Sequence, residues 1–263
     1  MTQSILIIGG GNMGGAMATR WHATGRYEIH VVDTNASRRD ALAKAGIARY
    51  ATLAEAPAAD TVVLAIKPQQ FHEQRDAWTR DLTARAPLLI SIMAGVALVD
   101  LQTISPRAVR VMPNLPALIG ESMSVLCAPA LDEKTRRDVG ELFTAIGAVA
   151  WLDDEQQMHA ATAISGSGPA YLFALMEALQ KAATAHGLSP KLARTLVTQT
   201  MRGAALLAAG AHDDAATLRA QVTSKGGITE AALEPFAASD FEGMIARVVA
   251  AAIARSKQLQ AHA

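Results

Sequence analysis

The sequence predicts an α/β fold: a doubly wound, mainly parallel sheet over residues 1–152, followed by an all-helical domain over residues 153–263. Three observations predict it. Short apolar runs alternate with longer amphipathic ones through the first half, which is the signature of βαβ units. A glycine turn closes the first of those runs. After Leu152 strand signals cease and apolar residues recur only at helical spacing.

The elements follow in order. Strands are expected at residues 5–8, 27–32, 61–66, 88–93, 109–112, 123–127 and 149–152. They are apolar on both faces, as strands covered by helices on both sides must be. Helices are expected at 13–24, 37–45 with Ser37 as N-cap, and 71–84. Asp153 and Asp154 offer a cap for the first helix of the second domain, and Glu155 suits its positive first turn. Beyond it, Leu172, Leu175, Met176, Leu179 and Ala183 recur on one helical face, as do Met244, Ile245, Val248, Val249, Ala252 and Ile253. Gly187, Ser189 and Pro190 separate two helices, Ser capping and Pro opening the second. Residues 202–211 are Ala-rich and apolar nearly all round, so that helix needs cover on every side, from within the chain or from a partner subunit.

Composition limits the function. Hydrophobic residues make up 51% of the 263, enough for a sizeable core, while 24 basic and 24 acidic residues balance. That balance removes the usual footprint of a nucleic-acid or membrane-surface binder. The one cysteine, Cys127, lies in an expected strand and cannot form an internal disulfide, which suits a reducing compartment. No basic leader precedes the first strand, and no apolar run reaches the roughly 18 residues that span a bilayer. The expectation is a soluble, cytoplasmic protein. The 7 histidines show no metal or triad spacing, so no metal site is expected.

Gly9, Gly11 and Gly14 form G-x-G-x-x-G between the first strand and the first helix. Gly9 permits the tight turn, Gly11 leaves room for a pyrophosphate, and Gly14 lets the helix approach the sheet. Placed so, the motif predicts a Rossmann-like dinucleotide site with phosphates on the helix N-terminus. Asp33 ends the second strand about 20 residues on, where an acid bonds the adenosine ribose and favours NADH. Arg38 or Arg39 offers a seat for a 2′-phosphate, which leaves NADPH open. Lys67 follows another strand and faces the same edge. In the second domain, residues 164–171 place two glycines and a proline inside a helical run, at about 1 kcal/mol per glycine, so packing or a ligand should offset them. Residues 222–229 form a glycine turn opening a helix. Its N–H groups and the hydroxyls of Ser224 and Thr229 suit a carboxylate, at about 1.5–3 kcal/mol per charge-assisted bond.

Ile8-Gly9-Gly10-Gly11-Asn12-Met13, Ala65-Ile66-Lys67-Pro68-Gln69, Ala94-Gly95, Val111-Met112-Pro113-Asn114, and the segments 164–171 and 222–229 together resemble pyrroline-5-carboxylate reductase. They run in family order over nearly the whole chain. The resemblance implies hydride transfer from NADH or NADPH to the C=N bond of 1-pyrroline-5-carboxylate, giving L-proline in the last biosynthetic step. It places the cofactor on Ile8, Gly9, Gly11, Asn12, Met13, Gly14, Asp33, Ala65, Lys67, Pro68, Ala94, Gly95 and Asn114. It places the substrate carboxylate on Ser224 and the backbone of Gly226, Gly227 and Ile228, and Thr229 near the ring nitrogen. It also implies a homo-oligomer, at least a dimer through the helical domain, in the family often assembled into decamers. Lys225 and Ile228 depart from the common residues, and Asp33-Thr34 replaces the polar-basic pair of NADPH-preferring members. Two rivals remain. A β-hydroxyacid dehydrogenase of the 3-hydroxyisobutyrate type uses a helical lysine shortly before an amide side chain, which neither Lys181 nor Lys191 supplies. A non-catalytic dinucleotide-binding protein is the other.

Overall fold

The computed structural model describes residues 3–83 and 88–261; Ala84, the expected end of the third helix, lies outside them. Strands β1 (Gln3–Ile8), β2 (Tyr27–Val32), β3 (Ala48–Tyr50), β4 (Thr61–Leu64), β5 (Leu88–Ser91), β6 (Ala108–Met112), β7 (Ser122–Cys127) and β8 (Gly147–Leu152) form one sheet. Their order is β3-β2-β1-β4-β5-β6-β7-β8. Only the β6–β7 pair is antiparallel among the described strands. The chain leaves β1 toward β2 and returns on its other side as β4, so the topological switch falls between β1 and β4, where such sheets bind ligands.

Helices α1 (Asn12–Ala23), α2 (Ala36–Lys44), α3 (Pro68–Thr83), α4 (Leu98–Gln102), α5 (Glu133–Thr144) and α6 (Gln157–Ala161) accompany the sheet. Alternation along β1 sets its two faces. Ile5 and Ile7 join Met17 and Trp21 of α1 in one buried cluster; Leu6 and Ile8 join Phe71, Trp78 and Leu82 of α3 in the other. Each large side chain so buried contributes about 1.5–3 kcal/mol. Trp21 also donates its indole N–H to the Leu142 carbonyl at 2.8 Å and meets Phe143 edge-on at 5.5 Å, fixing α1 against α5.

Several boundaries differ from expectation. β3 carried no sequence signal, because three residues of half-exposed edge strand show no periodicity. β4 and β5 stop at Leu64 and Ser91, two residues early, where the chain leaves the sheet to form loops. β8 starts at Gly147 rather than 149. Asn35, not Ser37, caps α2: its side chain accepts from the Arg38 N–H at 3.2 Å, and Ser37 donates its hydroxyl to Asn35 at 2.7 Å. Of the expected Asp153-Asp154 cap, Asp154 closes the turn ahead of the helix, accepting from the Gln156 N–H at 2.9 Å, and no side chain caps α6 itself. Helix α6 begins at Gln157, and Glu155 turns inward to accept from Arg110 and from the Leu98 N–H. Arg110 is buried on β6, and a buried guanidinium needs its counter-charge more than a helix end needs an acid.

That pair carries a stability prediction. Glu155→Ala leaves Arg110 buried without its carboxylate and should cost about 3 kcal/mol. The melting temperature should fall by about 6–12 °C, which calorimetry reads directly. Replacing both partners, Arg110→Met with Glu155→Leu, should recover most of the loss, and an unchanged transition in Glu155→Ala would remove the pair from the ledger of stabilising contacts.

The remaining helices are α7 (Gly168–Ala185), α8 (Pro190–Gly210), α9 (Ala215–Gln221), α10 (Ile228–Ala238) and α11 (Phe241–Ala261). Two compact units result: one runs to Pro169 and takes in the chain again from Ala251, the other spans Ala170–Ala250. The change from strands to helices at Leu152 and the change of unit at Pro169 are thus separate events along the chain. Within the second unit, Ser189 caps α8 through the Leu192 N–H and Asp214 caps α9 through the Thr217 N–H. Of the described residues of α7 to α11, only Ala193 and Val197 are buried. Leu206 and Leu207, in the Ala-rich stretch, remain 62% and 59% exposed. Apolar exposure on that scale suits a surface for another chain. No helix among the described residues is long and apolar enough to cross a membrane.

Candidate active site

The turn after β1 is built by backbone proximity. Gly9 donates its N–H to the Val32 carbonyl at 2.8 Å and stands at φ +106°, a left-handed conformation that favours glycine. A Cβ there would overlap the Ala65 carbonyl, and one on Gly14 would overlap the Gly9 carbonyl. Gly11 differs. It is an ordinary extended N-cap, at φ −67° and ψ −169°, and the nearest atom to an added Cβ is the Arg38 guanidinium at 3.9 Å. The space above Gly11 is therefore an open cradle over the uncapped N-terminus of α1, which fits a phosphate.

A cleft of about 630 Å³ opens from this turn. Ile8, Gly9, Gly11, Asn12 and Met13 line it from the first strand and turn; Asp33, Ala65 and Lys67 line it from the ends of β2 and β4. The sequence reading missed its far wall. Thr52 and Leu53 come from the segment after β3, and Gln70, Gln74 and Trp78 form a stripe on α3. That stripe recurs every four residues, a period visible in the sequence once the helix is allowed to begin at Pro68.

Five of the expected cofactor residues lie outside the lining. Gly14 packs beneath the turn, and Pro68 opens α3. Ala94 sits in the turn after β5, and Gly95 presses on Leu259 of α11, where an added Cβ would come within 3.0 Å of the backbone. Asn114 acts as a clamp: its amide donates to the Ser165 carbonyl at 3.0 Å and accepts from the Met123 N–H at 2.9 Å. The segment 164–171 explains the first of its two glycines here. Ser167 donates to Thr162 in a π-helical turn, Thr162–Gly166, and Gly166 lies so close to Met112 that a Cβ would meet its methyl at 3.1 Å. The widened turn aims the Ser165 carbonyl at Asn114.

The carboxylate-binding candidate belongs to the second unit. Val222 follows α9, and the turn through Ser224 to Gly227 opens α10. Gly226 stands at φ +72°, and its N–H is held by the Glu230 carboxylate at 2.6 Å. Gly227 donates to the Ser224 carbonyl at 2.9 Å. Of the expected backbone donors, Gly226 and Gly227 are thus engaged within the turn, and no side chain caps α10, which leaves the leading N–H groups of Ile228 and Thr229 without a side-chain partner. Thr229 is half-buried; Ser224 and Ile228 are exposed.

The other titratable groups stand apart from this chemistry. Burial pushes the Cys127 thiol up to about 11, which keeps it an unreactive core residue. His159 is buried against Ser256 at 2.9 Å, and burial followed by the nearby Arg110 charge holds it below the usual histidine range. No group of three or more metal-ligating side chains occurs among the described residues.

Comparison with known proteins agrees with both halves. The pyrroline-5-carboxylate reductase dimerisation family matches residues 155–259, and the coenzyme F420-dependent NADP oxidoreductase family matches residues 4–95. The chain is 40% identical to pyrroline-5-carboxylate reductase of Haemophilus influenzae over 97% of each chain. It superposes on a pyrroline-5-carboxylate reductase from Coxiella burnetii with a TM-score of 0.89 at 32% identity, covering 98% of this chain and 99% of that one. A Plasmodium falciparum pyrroline carboxylate reductase solved with NADP bound gives 0.83 at 27% identity, covering 97% and 99%. A 3-hydroxyisobutyrate dehydrogenase from Mycobacterium tuberculosis is 17% identical with a TM-score of 0.50, a likeness of fold alone. A glycine-turn cleft in the first unit, an uncapped glycine turn in the second and 40% identity over nearly the whole length have one common explanation: the chain belongs to the pyrroline-5-carboxylate reductase family.

Proposed function

We propose that the protein reduces the C=N bond of 1-pyrroline-5-carboxylate to give L-proline, the last step of proline biosynthesis, with NADH or NADPH as reductant. The observation that carries this reading is the pairing, in one chain, of an open phosphate cradle at Gly11 with the uncapped Ser224–Thr229 turn. When bound, the reduced nicotinamide supplies the hydride.

Every other part falls to the chain. Gly11, Asn12 and Met13 offer their N–H groups to the pyrophosphate, and the Gln70–Gln74–Trp78 stripe walls the cleft. Ser224 and the leading N–H groups of α10 hold the substrate carboxylate, which orients the ring. Thr229 hydrogen-bonds the ring nitrogen through its hydroxyl and keeps the C=N bond polarised, and the proton that completes the amine comes from solvent. Positioning supplies much of the acceleration, so no strongly titrating side chain is required. Asp33 and Arg38 both line the cleft, and the choice between NADH and NADPH falls to that pair. The helical unit builds at least a dimer, and the balanced charge with a single buried thiol suits the cytoplasm.

The purified protein should oxidise NADH or NADPH when given pyrroline-5-carboxylate, with proline as the product identified by chromatography. Turnover with neither cofactor would end the enzymatic reading and leave the non-catalytic one.

A further inference from the structure

Asp33 is less available than its place at the end of β2 suggests. Its Oδ2 accepts from the Gly10 N–H at 2.7 Å and from Arg38 Nη1 at 3.3 Å, and its Oδ1 accepts from the Asn35 N–H at 2.8 Å. An ionised carboxylate offers about four lone-pair sites, so most of this one is engaged within the protein. The carboxyl is only 5% exposed. Asp33 therefore braces the glycine turn and has little left for a ribose.

The two arginines that follow also separate. Arg39 donates Nη1 to the Asp33 carbonyl at 2.8 Å and thereby ties α2 to the end of β2. Arg38 lies over the carboxyl with its side chain 53% exposed. It lines both the main cleft and a second recess of about 360 Å³ beside Gly11, Asn12, Gly15 and Arg20. A guanidinium carries five N–H donors in a planar fork, which matches phosphate geometry.

We infer that Arg38 is the residue that sets cofactor choice in this chain: it masks the Asp33 charge and seats a 2′-phosphate, so that NADPH is admitted alongside NADH. The inference rests on the dinucleotide reading of the cleft. Asp33 alone would repel a 2′-phosphate; paired with Arg38 it does so weakly. Arg38→Gln removes both the mask and the fork.

Calorimetric titration with adenosine 2′,5′-bisphosphate and with ADP tests this at the adenosine end alone, without turnover. Arg38→Gln should weaken the 2′,5′-bisphosphate by about tenfold or more, the effect of losing a charge-assisted phosphate contact. ADP should change by less than about twofold, since an exposed ion pair contributes little. Asp33→Asn keeps an oxygen for the Gly10 N–H and removes the charge, so it should strengthen the 2′,5′-bisphosphate relative to ADP. The ratio of the two constants within each protein cancels any general loosening of the turn. Equal effects of Arg38→Gln on both ligands, with the native chain binding both, would overturn the inference while sparing the cleft. Binding of neither ligand by the native chain would overturn the cleft reading, and the inference with it.

Discussion

Gly11→Ala is expected to fold normally and to lose nearly all cofactor affinity. The backbone at Gly11 already suits alanine, and the added methyl meets nothing closer than the Arg38 guanidinium at 3.9 Å. Stability should therefore change by no more than about 0.5 kcal/mol, as for an unstrained surface substitution. The methyl would occupy the cradle over the α1 N-terminus, and the phosphates would lose close approach to its N–H groups. Losing two charge-assisted bonds predicts affinity at least about a hundredfold weaker. Gly14→Ala gives the contrasting result. Its methyl overlaps the Gly9 carbonyl, so α1 must move off the sheet, and the melting temperature itself should fall. Thermal denaturation beside fluorescence titration of NADH separates the two. If Gly11→Ala bound NADH normally, the phosphates would lie elsewhere.

Thr229→Ala should lower kcat by about a hundredfold while NADH affinity stays within about twofold, the pattern of a lost transition-state hydrogen bond. Thr229 belongs to the second unit and the glycine turn to the first, so cofactor titration is an independent control. Thr229→Ser keeps the hydroxyl and should restore most of the rate. Loss of activity in the serine variant as well would assign Thr229 to packing, which suits its half-buried position. An unchanged rate in Thr229→Ala would remove it from the reaction.

What the sequence disclosed, and what it hid, follows from the range of the forces. Strand β1 and the glycine turn are local: alternation of Ile5, Leu6, Ile7 and Ile8 between two helix layers and the glycine spacing lie within a dozen residues. The Ser189 cap and the start of α10 at Ile228 are local as well. Glu155 was misread because a helix-end rule acts over one turn, while Arg110 reaches it from 45 residues away. Asn35 took the cap expected of Ser37 because both residues suit it and the Asp33 carboxyl fixes the Asn35 N–H first. The wall formed by Thr52 and Leu53 depends on β3, whose pairing with β2 replaces any periodicity of its own. Asn114 was expected at the cofactor from its loop, yet its partners, Ser165 and Met123, are set by tertiary packing that no spacing encodes. The apolar stripes of α7 and α11 were legible, since helical spacing alone reveals them.

The central claim is that hydride passes from the nicotinamide ring to the imine carbon. The most direct test uses NADH carrying deuterium at both positions of C4 of the dihydronicotinamide, with pyrroline-5-carboxylate, followed by mass spectrometry of the proline. The account predicts a single deuterium at C5 of proline for each cofactor oxidised. Proline without label, or label appearing in solvent, would contradict it.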